Sequence, residues 1–285
     1  MANTVRQRPE APTNHPESGP PAPPAVWLDV TLPSVEQNLA LDEALLELAH
    51  EGLVTTAYVR TWMAPEPVVV LGSSSRVDEE LDRLVCEAAG VQVVRRPSGG
   101  ATVVLGPGCL MWSVVTPHPV GVPAIEAIHA AMLDPLAAAI NAALPAAAHH
   151  AGHRVARRGT SDLAISNSEG DEQNRGESDD APERKVSGNA LRVRRHGVLY
   201  HGTLLDSFDL SLVAKVLRHP PREPDYRSRR SHSDFLANLN LGREALEKIV
   251  RTAFNATLVK GDWPSDRVSR LVAERYAATD WTRRL

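Results

Sequence analysis

The chain has 285 residues, enough for one large domain with a buried core or two small ones. Apolar residues make up 42% of it and charged residues 23%, ordinary values for a globular chain, and the formal net charge is −4. That charge excludes a global basic field for nucleic acid or anionic lipid. No run of 18 apolar residues marks a membrane span, and the first 25 residues lack the apolar stretch of a secretion signal. Two cysteines, Cys86 and Cys109, make neither a disulfide framework nor a metal-binding spacing, so a reducing, cytoplasmic setting is expected.

Residues 1–25 are proline-rich and nearly devoid of large apolar side chains, so they are expected to form a disordered tail. Residues 26–285 are expected to form one domain. Ser34 and Gln37 make a capping-box pattern ahead of a helix with apolar side chains at Leu41, Ala44, Leu45 and Leu48, closed by Gly52. Residues 55–62 and 68–71 read as strands. Leu81, Leu84, Val85 and Ala88 mark a second helix ending at Gly90. Strand-like runs follow at 91–95, 102–105 and 110–115, separated by Ser98-Gly99-Gly100 and by Gly106-Pro107-Gly108.

A long helix carries Ile125, Ile128, Met132, Leu136, Ile140 and Leu144 on one face, and Pro135 is expected to kink or split it. Residues 162–165, 185–194 and 198–205 read as strands. Between the first two, about 166–184, lies a segment rich in Asp, Glu, Ser, Asn and Gly, expected to be a disordered acidic insertion. The last part, after the final strand, reads mostly as helices. Strands and helices mix without βαβ alternation, so the fold class is α+β, with a mixed, largely antiparallel sheet flanked by helices.

Three segments carry chemistry. In Arg95-Arg96-Pro97-Ser98-Gly99-Gly100-Ala101-Thr102, glycines let the backbone approach a ligand, turn amides can form an anion nest, and a neighbouring guanidinium can add a charge-assisted contact. Taken alone, this is equally a hairpin turn with exposed arginines. In Lys185-Val186-Ser187-Gly188-Asn189-Ala190, a lysine opening a strand can reach a cleft and neutralise a phosphate or polarise an acyl carbonyl; alone, it is an ordinary edge-strand lysine. In Tyr200-His201-Gly202-Thr203-Leu204-Leu205, His201 can orient substrate, exchange a proton, or serve as a hydrogen-bonded structural histidine. Arginines also cluster at 192–195 and 227–230, as local anion sites or solvated surface. His149, His150 and His153 have no carboxylate or thiol to complete a metal site, and no metal centre is expected.

In order and spacing, these three segments resemble the superfamily of lipoate–protein ligases, octanoyltransferases and lipoyltransferases. Asn38, Asp42, Arg60, Trp62, Gly72, Gly159 with Asp162, and Tyr276 with Trp281 extend the likeness over roughly residues 26–285. The resemblance implies a biotin/lipoate ligase-like catalytic domain. It implies that Lys185 is catalytic, and that Arg96, Gly99, Gly100, Ala101, Thr102, Ser187, Gly188 and His201 bind the nucleotide or acyl-adenylate.

The ligase branch of that superfamily uses ATP and Mg2+ to activate lipoate or octanoate. It then acylates a lysine of a lipoyl carrier domain, in 2-oxoacid dehydrogenases or the glycine cleavage H protein, some members with an accessory protein. The transferase branches use a cysteine thioester. Here Val198 occupies one of their cysteine positions, and the segment Gly159-Thr160-Ser161-Asp162 offers no thiol at the other. The expected activity is therefore ATP-dependent lipoate–protein ligation. A cysteine-independent transferase and a non-catalytic binder of lipoyl carriers are the alternatives.

Overall fold

A computed structural model describes residues 24–144, 152–167 and 182–285. Nearly all of the proline-rich tail, residues 168–181 of the acidic segment, and His149 and His150 lie outside the described residues.

An eight-stranded sheet forms the body. Its spatial order is β11 (Ala256–Lys260), β1 (Ala25–Leu28), β2 (Tyr58–Met63), β6 (Cys109–Pro117), β10 (Gly197–Leu205), β9 (Arg184–Arg194), β8 (Asp162–Asn167) and β7 (His153–Arg158). β1 runs parallel to both its neighbours, and the other pairings are antiparallel. A second sheet has the order β4 (Gln92–Arg95), β3 (Val68–Leu71), β5 (Val103–Leu105). This is the α+β architecture expected from the sequence.

Central strand β10 is buried along its whole length, so both of its faces need cover. Side chains alternate between the faces. Tyr200 and Leu204 point into a core shared with α4 (Ile125–Ala143) and α7 (Arg243–Ala253). Leu199 and Leu205 point into a core shared with α1 (Val35–His50), the small sheet and α8 (Ser265–Leu271). The hydroxyl of Ser34 accepts from the Gln37 amide and the Gln37 side chain accepts from the Ser34 amide, so the expected capping box opens α1.

Several elements differ from expectation. The helix α4 passes through Pro135 without splitting; Pro135 removes one amide, but the flanking face with Met132, Leu133 and Leu136 stays buried and holds both halves together. The second helix is two short ones, α2 (Val77–Glu80) and α3 (Arg83–Ala88), and Leu84 and Val85 face solvent while Cys86 is buried. Strands β1, β7 and β11 escape the sequence reading. In β7 only Val155 is buried, and in β11 only Ala256, so neither shows a full alternation. His153 opens β7 rather than lying in a linker, and residues 166–167 and 184 belong to β8 and β9 rather than to the acidic segment.

On the α1 side the core contains charge. Arg60 of β2 donates through Nη1 to Asp42 Oδ1 at 2.9 Å and to the Asn38 carbonyl, and through Nη2 to Asn38 Oδ1 and the Val30 carbonyl. Both charged side chains are 1% exposed. Removing one partner of such a pair leaves the other charge buried and uncompensated. Asp42→Ala is therefore expected to cost about 3–5 kcal/mol of folding free energy, read from urea unfolding; a loss below about 1 kcal/mol would deny the pair this role.

Candidate active site

The three segments of the sequence motif converge on one cavity of about 350 Å³. Arg96, Gly100, Ala101 and Thr102 line one wall, and Lys185, Gly188 and His201 line the opposite wall. Gly99 and Ser187 are not on the wall: Gly99 offers its carbonyl to Arg96, and Ser187 is buried with its hydroxyl donated to Asn189 Oδ1. A smaller recess of about 140 Å³ shares Ala101, Thr102, Val103, Lys185 and Arg222 with the cavity and continues between Val213, Leu217, Phe235 and Leu236.

The glycine bend depends on a close backbone approach. A Cβ on Gly72 would stand 2.0 Å from the Gly100 carbonyl oxygen, so no larger residue fits there. Gly100 has φ +87°, the left-handed region. Ala101, which follows the two glycines, has no positive φ and is exposed, so its methyl strains nothing.

Arg96 organises this bend from within. Its Nε donates to Ser98 Oγ, Nη1 to the Val70 carbonyl, and Nη2 to the carbonyls of Gly99 and Ala101. Four of its five N–H groups are thus engaged. Burial pushes its pKa down to about 10, which still leaves it charged at neutral pH. With the carbonyls of Gly99 and Ala101 turned to Arg96, the amides of Gly99, Gly100 and Ala101 make no hydrogen bond among the described residues. Adjacent amides of this kind form an anion nest.

Arg95 ties the bend to the rest of the chain. Its Nη1 donates to the carbonyls of Gly72 and Ser75, and its Nε and Nη2 to the Thr282 carbonyl of α9 (Thr279–Arg283). Trp281 returns a bond from Nε1 to the Arg95 carbonyl at 2.9 Å. Glu80, which the sequence reading missed, receives the Thr102 amide and hydroxyl and the Ser75 hydroxyl, fixing the far end of the bend. No motif announces Glu80; only folding brings it to Thr102.

Across the cavity, Lys185 Nζ lies 2.7 Å from Asp162 Oδ1, and Tyr226 donates to Asp162 Oδ2 at 2.9 Å. The lysine side chain lies over Gly188, where an added Cβ would meet its Cε and Nζ at 2.8 Å. His201 Nε2 lies 2.6 Å from Ser98 Oγ, which links this wall to the bend. Its Nδ1 faces Asp42 Oδ2 at 3.9 Å, too long for a direct hydrogen bond, and both atoms are buried without a partner among the described residues. Burial lowers the pKa of His201 despite the Asp42 charge, so the ring is neutral at neutral pH. Burial alone would raise the Asp42 carboxyl, but Arg60 and His201 more than offset it and hold the group below the usual carboxylate range.

The arginines at 227–230 are partly engaged: Arg227 lines the recess, and its Nη2 is buried without a hydrogen-bond partner among the described residues. Arg227 and Arg230 donate to each other's carbonyls and stack on the Phe235 ring, stitching their own loop. Arg192 donates to the Pro97 carbonyl behind the bend. Cys86 and Cys109 are buried away from the cavity, and burial pushes the Cys109 thiol up to about 12.

Comparison with known proteins shows the family. The family described as lipoyl protein ligase A/B catalytic domain matches residues 34–260. The chain belongs to this family. A protein of Aeropyrum pernix with a provisional lipoate–protein ligase A name is 31% identical over 180 residues, covering 63% of this chain and 57% of that relative. The octanoyltransferase LipM of Carboxydothermus hydrogenoformans is 44% identical over 70 residues, 24% of each chain. The chain thus spans well under two thirds of the length of these two relatives. The bi-partite lipoate protein ligase of Thermoplasma acidophilum, described with its E2 lipoyl domain, superposes with a TM-score of 0.69 at 19% identity, covering 92% of this chain and 96% of that one. This structural likeness establishes a lipoate protein ligase-like fold.

The depressed pKa of His201 has a consequence for stability. An unfolded imidazole takes up a proton near pH ~6.5, whereas the folded one resists until lower pH. Stability is therefore complete above about pH 6.5 and falls as pH drops toward the folded pKa. His201→Gln should flatten that decline, measured as urea midpoints between pH 8 and pH 5. It should not abolish it, because burial also lowers His118, His129 and His232. Parallel profiles for the two proteins would contradict a buried, neutral His201.

Proposed function

We propose that this protein is an ATP-dependent lipoate–protein ligase, which activates lipoate or octanoate as an acyl-adenylate and passes the acyl group to a lysine of a lipoyl carrier domain. One observation carries the choice within the family: the cavity holds a lysine and no thiol. The whole sequence contains two cysteines, and both are buried outside the cavity. A thioester route needs an accessible thiolate, and Cys109 at about 12 is protonated and enclosed. With that route closed, the acid needs another leaving group, and a phosphate ester of a nucleotide supplies one.

The residues present fit an acyl-adenylate. The apolar tail has a place toward Leu39, Val70 and Met111 at the inner end of the cavity. The base has a place between the apolar walls of the recess, at Val104, Leu217 and Phe235. The Gly100 and Ala101 amides and Lys185 lie near the junction, where carboxyl and phosphate meet. Both half-reactions build negative charge on the acyl oxygen and the phosphate, and a positioned ammonium with turn amides stabilises that charge. ATP supplies the energy of the anhydride. Mg2+ keeps most of its ligands from phosphate and water, and of the lining carboxylates Asp162, Glu223 and Glu80, Asp162 and Glu80 would meet it. The acceptor would be the carrier domain of a 2-oxoacid dehydrogenase or a glycine cleavage H protein, with an accessory protein where adenylation requires one.

Incubation with an apo lipoyl domain, followed by mass spectrometry of that domain, tests this reading. Mass gain is expected with lipoate and ATP together, and with neither alone. Lys185→Ala should abolish the gain. Gly188→Ala should fold normally but displace the ammonium, slowing acylation about 10²-fold. Mass gain from an acylated carrier in the absence of ATP would establish a cysteine-independent transferase instead, and tight carrier binding with no mass gain under any condition would establish a non-catalytic binder.

A further inference from the structure

The cavity and recess are rich in cations, but most of these already have partners. Lys185 is paired with Asp162. Arg96 is spent on the bend, Arg218 donates to the Asp78 carbonyl, and Arg227 lies against Glu223 and the Arg230 carbonyl. Arg222 differs. It lines both the cavity and the recess, it is exposed, and among the described residues it makes no hydrogen bond, ion pair or ring contact.

Its surroundings explain why it stands free. It lies in Pro220-Pro221-Arg222-Glu223-Pro224, where three fixed φ angles stiffen the loop. Its acidic neighbour Glu223 is engaged by His219, Arg227 and the Arg229 amide, so among the described residues no carboxylate pairs with the guanidinium. A cation on a stiff loop loses little backbone freedom on binding. A guanidinium with all its donors available can take two phosphate oxygens at once.

We propose that Arg222 is the phosphate-gripping residue at the junction of cavity and recess, recognising the nucleotide phosphate next to the acyl carboxyl. This rests on the ligase reading and adds a specific residue to it. Lys185 and Arg222 then flank one phosphate from two walls, while the Gly100 and Ala101 amides approach from the bend. The tether differs as well: Lys185 sits on a sheet strand, whereas Arg222 belongs to the loop after α5 (Leu210–Val216).

Isothermal titration of the full chain with Mg-ATP, AMP and octanoate, in wild type, Arg222→Gln and Arg222→Lys, tests the assignment. Arg222→Gln should weaken Mg-ATP and AMP by about tenfold and leave octanoate within about twofold. Arg222→Lys should recover part of the loss, since it keeps the charge but not the fork. Because the side chain is exposed, thermal melts of the three proteins should coincide. Equal Mg-ATP affinity in wild type and Arg222→Gln overturns the role of Arg222 and leaves the ligase reading standing. A loss confined to octanoate overturns it too, by assigning the guanidinium to the carboxylate. A wild type that binds no Mg-ATP removes the ligase reading and this proposal together.

Discussion

The buried ion pair of Arg60 and Asp42 is the constraint around which the site is arranged. A charge enclosed in the core is tolerated only when its partners are fixed. Here the partners come from separate elements: Arg60 from β2, Asp42 and Asn38 from α1, Ser113 from β6. Fixing them fixes the rotation of α1 on the sheet, because a turn in either direction would swing Asp42 away from the guanidinium. The same carboxylate presents its second oxygen toward His201, and His201 in turn meets Ser98. A chain of polar contacts thus runs from the core to the glycine bend. The bend inherits its position from the packing of a helix on a sheet.

On the bend itself, orientation matters more than charge. Arg96 and Arg95 both look like ligand-binding residues in the sequence. In the fold, both guanidinium groups are occupied by backbone carbonyls. On the ligase reading, Arg96 holds the carbonyls of Gly99 and Ala101 to itself, and the amides of the bend are left for an anion. The C-terminal helix shares in this, since Thr282 completes the set of acceptors around Arg95 and Trp281 binds its carbonyl.

Much of this was legible in the sequence, for reasons that differ by element. The capping box of α1 and the β-branched run of β3 are local signals, and both elements form where expected. The three motif segments were legible because their glycines answer local demands, such as the left-handed φ of +87° at Gly100. Strands β7 and β11 were not, because an edge strand with one buried residue leaves no period to read. Glu80 and Tyr226 were not legible either. Their relevance comes from contacts to Thr102 and Asp162, distant in sequence, and no spacing rule reaches that far. The exposure of Leu84 shows the converse, an apolar residue at a helical spacing that buries nothing.

On the ligase reading proposed above, the distribution of cations follows from where charge is needed during reaction. A site that forms a thioester needs one thiolate and a base, and it can remain compact. A site that joins an acid to a nucleotide must hold two anions close together, against their mutual repulsion, while water is kept away. Such a site needs positive potential from more than one direction, but its cations must not collapse onto one another before the ligand arrives. In this fold Lys185 is kept in place by Asp162, Arg96 by carbonyls, and Arg222 by a proline-stiffened loop. Three different restraints thus keep three cations apart around one cavity.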